Sequence, residues 1–370
     1  MSERTLLFTP GPLTTSATVK AAMLRDFGSR DARFIQIIAE IRTQLVALGT
    51  ARPAEWTCVP MQGSGTFGVE GTLGTLVPRG GKLLVAQNGA YGRRLVDLAQ
   101  RLGIETQTLV WPEDAQVDPA AIDAALVADP AIDVVACVHS ETTSGILNPI
   151  AAVGAVVRKH GKILIADAMS SFGGVPLDLD TAGIDALVSS SNKCIEGVPG
   201  FSFVLVKRAL LATCAGRARS VSLDVYAQAA ELDRSGQFRF TPPTHVLAAF
   251  HQALQELAAE GGIAARHARY LANRAELLAG LARLGLQTWL PPALQGPIIT
   301  SVRYPDDPRF DFPAFYAALA ARGFTLYPGK VSQANCFRVG TIGQLYPADY
   351  TALCAAMADV LRGQGIDLAT

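Results

Sequence analysis

The stretch KHGKILIADAMSSFGGVPLDLDTAGIDALVSSSNKCIEGVPG, residues 159–200, decides the fold. Its apolar run ILIAD has the length and branching of a buried strand, and the run ends in Asp167. A second run, ALVSSSNK, ends in Lys193 and leads into a Gly/Pro loop. The two ends are one strand–loop–strand unit apart. Parallel sheets bind ligands beyond the carboxyl ends of their strands, so both side chains can face one pocket. Small residues and turn formers enclose Lys193 between apolar strands, which partly desolvates the amine and lowers its pKa. A surface lysine and a turn-capping aspartate are the plainer readings, so the pair needs support from the rest of the chain.

Outward from this unit the same pattern repeats. KLLVAQ (82–87), ETQTLVW (105–111), DVVACV (133–138) and FSFVLVKR (201–208) read as mostly apolar strands, with helical patterns such as AVGAVVRKHG (152–161) between them. This alternation predicts a parallel sheet covered on both faces. FIQIIAEIRTQLVAL (34–48) predicts a helix. Residues 209–246 are polar and poorly periodic. Leu247 to Glu260 then reads as a helix, and Ala264 to Leu284 as a long helix linking two domains. The remainder reads strand, helix, two strands, helix, a compact α+β unit. The expected boundaries are an N-terminal arm over 1–15, a large domain over 16–262 and a small domain over 263–370.

Further loops carry chemistry. Trp56–Met61 predicts a strand, and QGSGTFGVEGTL after it gathers free backbone N–H groups and the hydroxyls of Ser64 and Thr66 at a helix N-terminus, an anion cradle. No Gly-Lys-Ser/Thr follows, so this is not a nucleotide P-loop; the alternative is an ordinary glycine turn. HSETTSG (139–145) ends a strand in hydroxyls, and Tyr91 in NGAYGRR (88–94) sits at the tip of a turn, where its ring can lie on a flat ligand. His139, at a strand end, reads as a hydrogen-bonded structural residue. Arg338 in NCFRVG (335–340) lies inside an apolar strand and needs an anion, either a substrate or an internal Asp or Glu. Together the acid, the lysine and the cradle suit pyridoxal 5′-phosphate (PLP). The lysine bonds the cofactor aldehyde, the acid keeps the ring nitrogen protonated and the cradle takes the phosphate.

The composition excludes other classes. The chain has 370 residues, 49% hydrophobic, with 32 basic and 32 acidic side chains and no long run of one sign. Nucleic-acid grooves and polybasic membrane patches are therefore not expected. MSERTLLFTPGPL lacks a signal peptide's apolar core, and no apolar run reaches the roughly 20 residues that span a bilayer. The six cysteines are scattered without a CxxC pair, which predicts a reduced, cytoplasmic protein without disulfides or a bound metal.

TPGP (9–12), GSGTFGVE (63–70), NGAYGRR, HSETTSG, ADAMSSFGG (166–174), SSNKCIEGVPG (190–200) and FRVGTIG (337–343) resemble the class V aminotransferases of PLP fold type I, in consistent order from about residue 5 to 365. FGSRD (27–31), HSETTSGILNP (139–149) and QFRFTPPTHV (237–246) resemble the branch of that family acting on 2-aminoethylphosphonate and pyruvate. The resemblance implies an α/β fold: a large domain with a mostly parallel seven-stranded sheet between helices, and a smaller α+β domain. It implies that Lys193 bonds the cofactor and Asp167 partners the pyridine nitrogen. Ser64, Gly65 and Thr66 would hold the phosphate, Thr143 the ring oxygen and Tyr91 the ring face, although relatives often have tryptophan there. Thr241 would reach the phosphate from the neighbouring subunit of a homodimer. Arg338 would grip the substrate anion, helped by Gly11 and by Ser29 or Arg30. The nearest rival is a serine– or alanine–glyoxylate aminotransferase. A cysteine desulfurase would need a mobile catalytic cysteine, whereas Cys336 lies in a strand pattern. A binding or regulatory module on the same fold would be expected to lose Lys193 or to carry a DNA-binding domain.

Overall fold

The computed structural model describes residues 5–366. Seven strands form the main sheet: β1 (Trp56–Gln62), β2 (Lys82–Gln87), β3 (Glu105–Val110), β4 (Ile132–Val138), β5 (Ile163–Asp167), β6 (Ala186–Ser190) and β7 (Phe201–Lys207). Their spatial order is β1-β7-β6-β5-β4-β2-β3. Only β7 runs antiparallel, inserted between β6 and β1, so the other six end at one edge of the sheet. The segments that carry Ser64, Tyr91, Thr143, Asp167 and Lys193 begin at that edge.

Helices cover both faces: α1 (Ala32–Gly49), α2 (Gly65–Leu76), α3 (Ala90–Arg101), α4 (Pro119–Ala128), α5 (Ile150–Lys159), α6 (Val225–Ser235), α7 (Thr244–Glu260) and α8 (Gly262–Arg283). All but the edge strand β3 are mostly buried, as their unbroken apolar runs require; β3 is polar and partly exposed. One apolar core runs from Val19 to Leu257. Each fully buried aliphatic or aromatic side chain in it contributes roughly 1.5–3 kcal/mol.

Beyond α8 come β8 (Ile299–Arg303), α9 (Phe312–Ala320), β9 (Tyr327–Pro328), β10 (Cys336–Gly340) and α10 (Pro347–Gly363). The strands form an antiparallel sheet in the order β8-β10-β9. A second core joins Phe8, Leu277, Phe315, Phe337 and Met357. Leu6–Leu7 adds a short parallel strand to Phe324–Thr325, so the segment that leads into TPGP is built into this part. The six cysteines are free and buried. Among the described residues no helix is long and apolar enough to cross a membrane.

Three local expectations change. NGAYGRR is not a turn: α3 begins at Ala90, so Tyr91 and Arg94 lie on its first turns, one above the other. Residues 209–246 hold α6, whose Asp224 cap accepts from Ala227 N and whose buried face is Val225, Ala229 and Leu232. Small alanines and interleaved charges weaken that apolar stripe in the sequence. Lys193 is not the end of β6, which stops at Ser190; Ser191 N donates to Phe201 O and turns the chain.

Candidate active site

Lys193 stands in the turn after β6. Its Nζ donates to Pro10 O at 2.7 Å and Gly11 O at 3.2 Å, so the TPGP segment lies directly on it. Gly11 has φ +103°, and a Cβ there would meet Asn192 O and Lys193 Cδ at 2.7 Å. Burial lowers the Lys193 pKa from the usual lysine value, Tyr91 and Asp167 oppose that, and the Arg338 charge adds to it.

Asp167 closes β5 and is 8% exposed. Its Oδ1 accepts from Met169 N at 2.9 Å, and among the described residues Oδ2 has no hydrogen-bond partner. Desolvation lifts the carboxyl to about 6, against the pull of the Met169 N–H, Arg94 and Lys193. A buried acid with one open oxygen is arranged for a cationic N–H. His139 N donates to Asp167 O at 2.8 Å, and the His139 ring pairs with Ser171 Oγ at 2.9 Å. Burial holds this imidazole down at about 4 and therefore neutral, which suits the structural role expected of it.

The GSGT turn opens α2. Ser64 is the N-cap residue and its hydroxyl caps no N–H, while the first N–H groups of a helix have no internal acceptor. A Cβ on Gly65 would stand 2.2 Å from Met169 Sδ, so glycine allows the cradle to approach the Asp167 loop. Arg94, a residue the sequence did not single out, donates from Nη1 to Thr66 Oγ1 at 3.2 Å. It has no carboxylate within ion-pair distance among the described residues. Ser64, Gly65, Thr66, Tyr91, Arg94, Asp167, Met169, Asn192 and Lys193 line one cavity of about 170 Å³. An anion cradle, an acid and an amine thus converge as the strand ends predict.

Two cations approach the Tyr91 ring, with Arg94 Cζ 4.9 Å and Lys330 Nζ 4.6 Å from its centroid. Arg338 on β10 is 3% exposed, and donates from Nε to Pro328 O at 2.9 Å and from Nη1 to Thr142 O at 2.7 Å. Among the described residues it has no carboxylate ion pair, so the internal salt bridge weighed as the plainer alternative is absent. Burial lowers its pKa from the usual arginine value, with Tyr91 opposing.

Thr143 differs from its expected place. It is fully buried and outside the cavity lining; its single O–H proton goes to Glu141 Oε1 at 2.6 Å, and its oxygen accepts from Ala90 N at 2.8 Å. In this arrangement its proton is directed to Glu141 and away from the cavity. Instead it anchors Glu141, whose Oε2 accepts from Tyr91 N and Gly92 N, so Glu141 and Thr143 hold the start of α3. Ser29, Arg30 and Thr241 share a separate cavity of about 380 Å³ that includes none of the Lys193 pocket residues. Within one chain they are not brought to Lys193 or Arg338.

Among known proteins, the family description "Aminotransferase class-V" matches residues 14–308. A 2-aminoethylphosphonate–pyruvate transaminase of Syntrophobacter fumaroxidans is 51% identical over 97% of this chain and 97% of its own length. A protein of the same name from Burkholderia ambifaria is 50% identical over 98% and 96%. Among solved structures, alanine–glyoxylate aminotransferase from a Nostoc species superposes with a TM-score of 0.90 at 28% identity, covering 98% of this chain and 96% of its own. Pyridoxamine–pyruvate aminotransferase from Mesorhizobium loti gives 0.89 at 26% identity, over 100% and 94%. The expected fold, a PLP fold type I architecture, stands on these neighbours and on the sheet described above. With the family match covering most of its length, and relatives half identical to it end to end, the chain belongs to the class-V aminotransferases, which are PLP-dependent enzymes.

Proposed function

We propose that the enzyme moves the amino group of 2-aminoethylphosphonate to pyruvate, giving phosphonoacetaldehyde and L-alanine, a step of phosphonate degradation. Relatives named for that reaction match at about half identity, whereas the two solved neighbours described above, named for other reactions, match at 28% and 26%. The observation that carries the reading is Arg338, a buried cation near Lys193 with two of its N–H groups on carbonyls and no carboxylate pair among the described residues. A phosphonate and a carboxylate both present paired oxygens to a guanidinium, so one site serves both halves of the exchange.

The residues fit PLP. The open Oδ2 of Asp167 suits a protonated pyridine nitrogen, and the uncapped start of α2 with Arg94 suits a phosphate. When bound, the cofactor supplies an aldehyde for the substrate amine and a protonated ring that withdraws electrons from the adjoining carbon. Lys193 would move the proton at the amine-bearing carbon; its lowered pKa favours the neutral amine that a base must be. Arg338 would fix the anionic end and so aim that carbon at Nζ. Asp167 would retain its charge beside a cation, which offsets its desolvation.

Thr241, with Ser29 and Arg30, lies apart from Lys193 in its own chain. We assign these three to the site of a second subunit, in a homodimer of the cytoplasm. A spectrum tests the reaction: holoenzyme is mixed with 2-aminoethylphosphonate, or with L-serine, without a keto acid. Loss of the lysine-bound cofactor absorbance with the phosphonate alone, restored by pyruvate, is expected. Rapid loss with serine and none with the phosphonate would leave the fold and overturn the substrate.

A further inference from the structure

We propose that Lys330 is the second cation of the substrate-anion site and the residue that separates phosphonate from carboxylate, an assignment resting on the reaction proposed above. Lys330 lies in the loop that follows β9. Its Nζ is 4.6 Å from the Tyr91 ring centroid, and it has no carboxylate within ion-pair distance among the described residues. A solvated surface lysine would be the plainer reading, but this side chain is half-buried and its loop is tied down. Ser332 donates from N at 2.7 Å and from Oγ at 3.0 Å to Glu113 Oε2. Glu113 is 4% exposed and pairs with Arg93 at 3.2 Å. The large-sheet side of the molecule therefore clamps the loop two residues from Lys330 and delivers the amine to Tyr91.

Tyr91 in turn connects the two cations. Burial alone would raise its pKa; a hydrogen bond with Thr142 and the charges of Lys193, Lys330 and Arg338 outweigh that and hold it below the usual tyrosine value. Arg338 reaches the same hydroxyl. With Nε and Nη1 given to Pro328 O and Thr142 O, Arg338 keeps only part of its fork for an incoming anion. That suffices for the paired oxygens and single charge of a carboxylate. A phosphonate brings a third oxygen and, near neutral pH, a second charge, which the Lys330 ammonium beside the Tyr91 ring can meet.

The test compares wild type, Lys330→Met and Lys330→Arg as holoenzymes. Because K330M removes a charge-assisted hydrogen bond from one substrate alone, it should raise KM for 2-aminoethylphosphonate roughly 10- to 100-fold while KM for pyruvate changes less than about threefold. K330R should restore most of the phosphonate affinity. Calorimetric binding of two unreactive probes gives an independent readout: ethylphosphonate should weaken by the same factor in K330M and propionate should not. Equal losses for both probes and both substrates, or no loss for either, would overturn the assignment. Failure of the wild type to react with 2-aminoethylphosphonate would instead sink the proposed reaction, and the probe binding would still report on Lys330.

Discussion

Gly11 is packed against Lys193 so closely that a Cβ would stand 2.9 Å from the amine nitrogen and 2.7 Å from Asn192 O. Its φ of +103° is also one that residues with side chains avoid. Gly11→Ala should therefore displace the lysine while leaving both cores intact. The expected result is a fall in kcat/KM of at least about 100-fold, because small misplacements of a reacting group have that effect. Circular dichroism should be unchanged. Wild-type activity in the variant would show that the TPGP segment does not position the lysine.

Arg94 should govern cofactor retention. Its guanidinium reaches Thr66 at the open start of α2 without a carboxylate pair of its own among the described residues. Arg94→Met should weaken PLP binding roughly 10- to 100-fold, the scale of a lost hydrogen bond to a charged group. Fluorescence titration of cofactor-free enzyme measures this directly, and an unchanged Kd would remove Arg94 from the phosphate site.

Asp167 and His139 oppose each other as pH changes. In cofactor-free enzyme Asp167 titrates near 6, above its usual 3.8, so its share of stability is full below about pH 4 and is lost as pH rises through 6. A shift of that size corresponds to about 2–3 kcal/mol. Asp167→Asn should thus stabilise the cofactor-free protein at pH 7.5 and have little effect near pH 4. His139 titrates near 4, below its usual 6.5, so its contribution is present above 6.5 and is lost as pH falls towards 4. His139→Gln should flatten the acid limb. Denaturant midpoints across pH 4–8 check both signs.

Glu196 is 1% exposed, in the left-handed region at φ +65°, and is met by Arg269 Nη2 at 2.8 Å, Tyr270 OH at 2.6 Å and Gln344 Nε2 at 2.9 Å. Removing one partner of a buried charge cluster leaves the others uncompensated. Glu196→Ala should destabilise the protein by about 3–5 kcal/mol. A denaturant midpoint within error of wild type would show that Arg266 and Arg269 are satisfied by Glu260 alone.

The sheet and the Asp167–Lys193 pair were legible because burial on both faces writes strands as unbroken apolar runs and because ligands gather at strand ends. Arg94 was not: a basic residue on the polar face of a helix looks the same in sequence whether it meets solvent or a cofactor. Only the helical start at Ala90, held by Glu141, turns it inward. Thr143 is ambiguous in the opposite sense, since a hydroxyl at a strand end can face the ligand or brace the next loop, and its sequence neighbours do not say which. Ser29, Arg30 and Thr241 fell together in space although separated by most of the chain, a proximity that periodicity does not encode.

Residues 6–11 act as a mechanical linkage. Leu6 and Leu7 are stitched to Phe324 and Thr325, Phe8 O accepts from Gly340 N just past Arg338, and the carbonyls of Pro10 and Gly11, two and three residues on, hold the lysine. Any displacement of the C-terminal sheet must carry those carbonyls with it. The grip on the substrate's anionic end and the tether on the amine are thus geared together: a movement that closes one slackens or tightens the other.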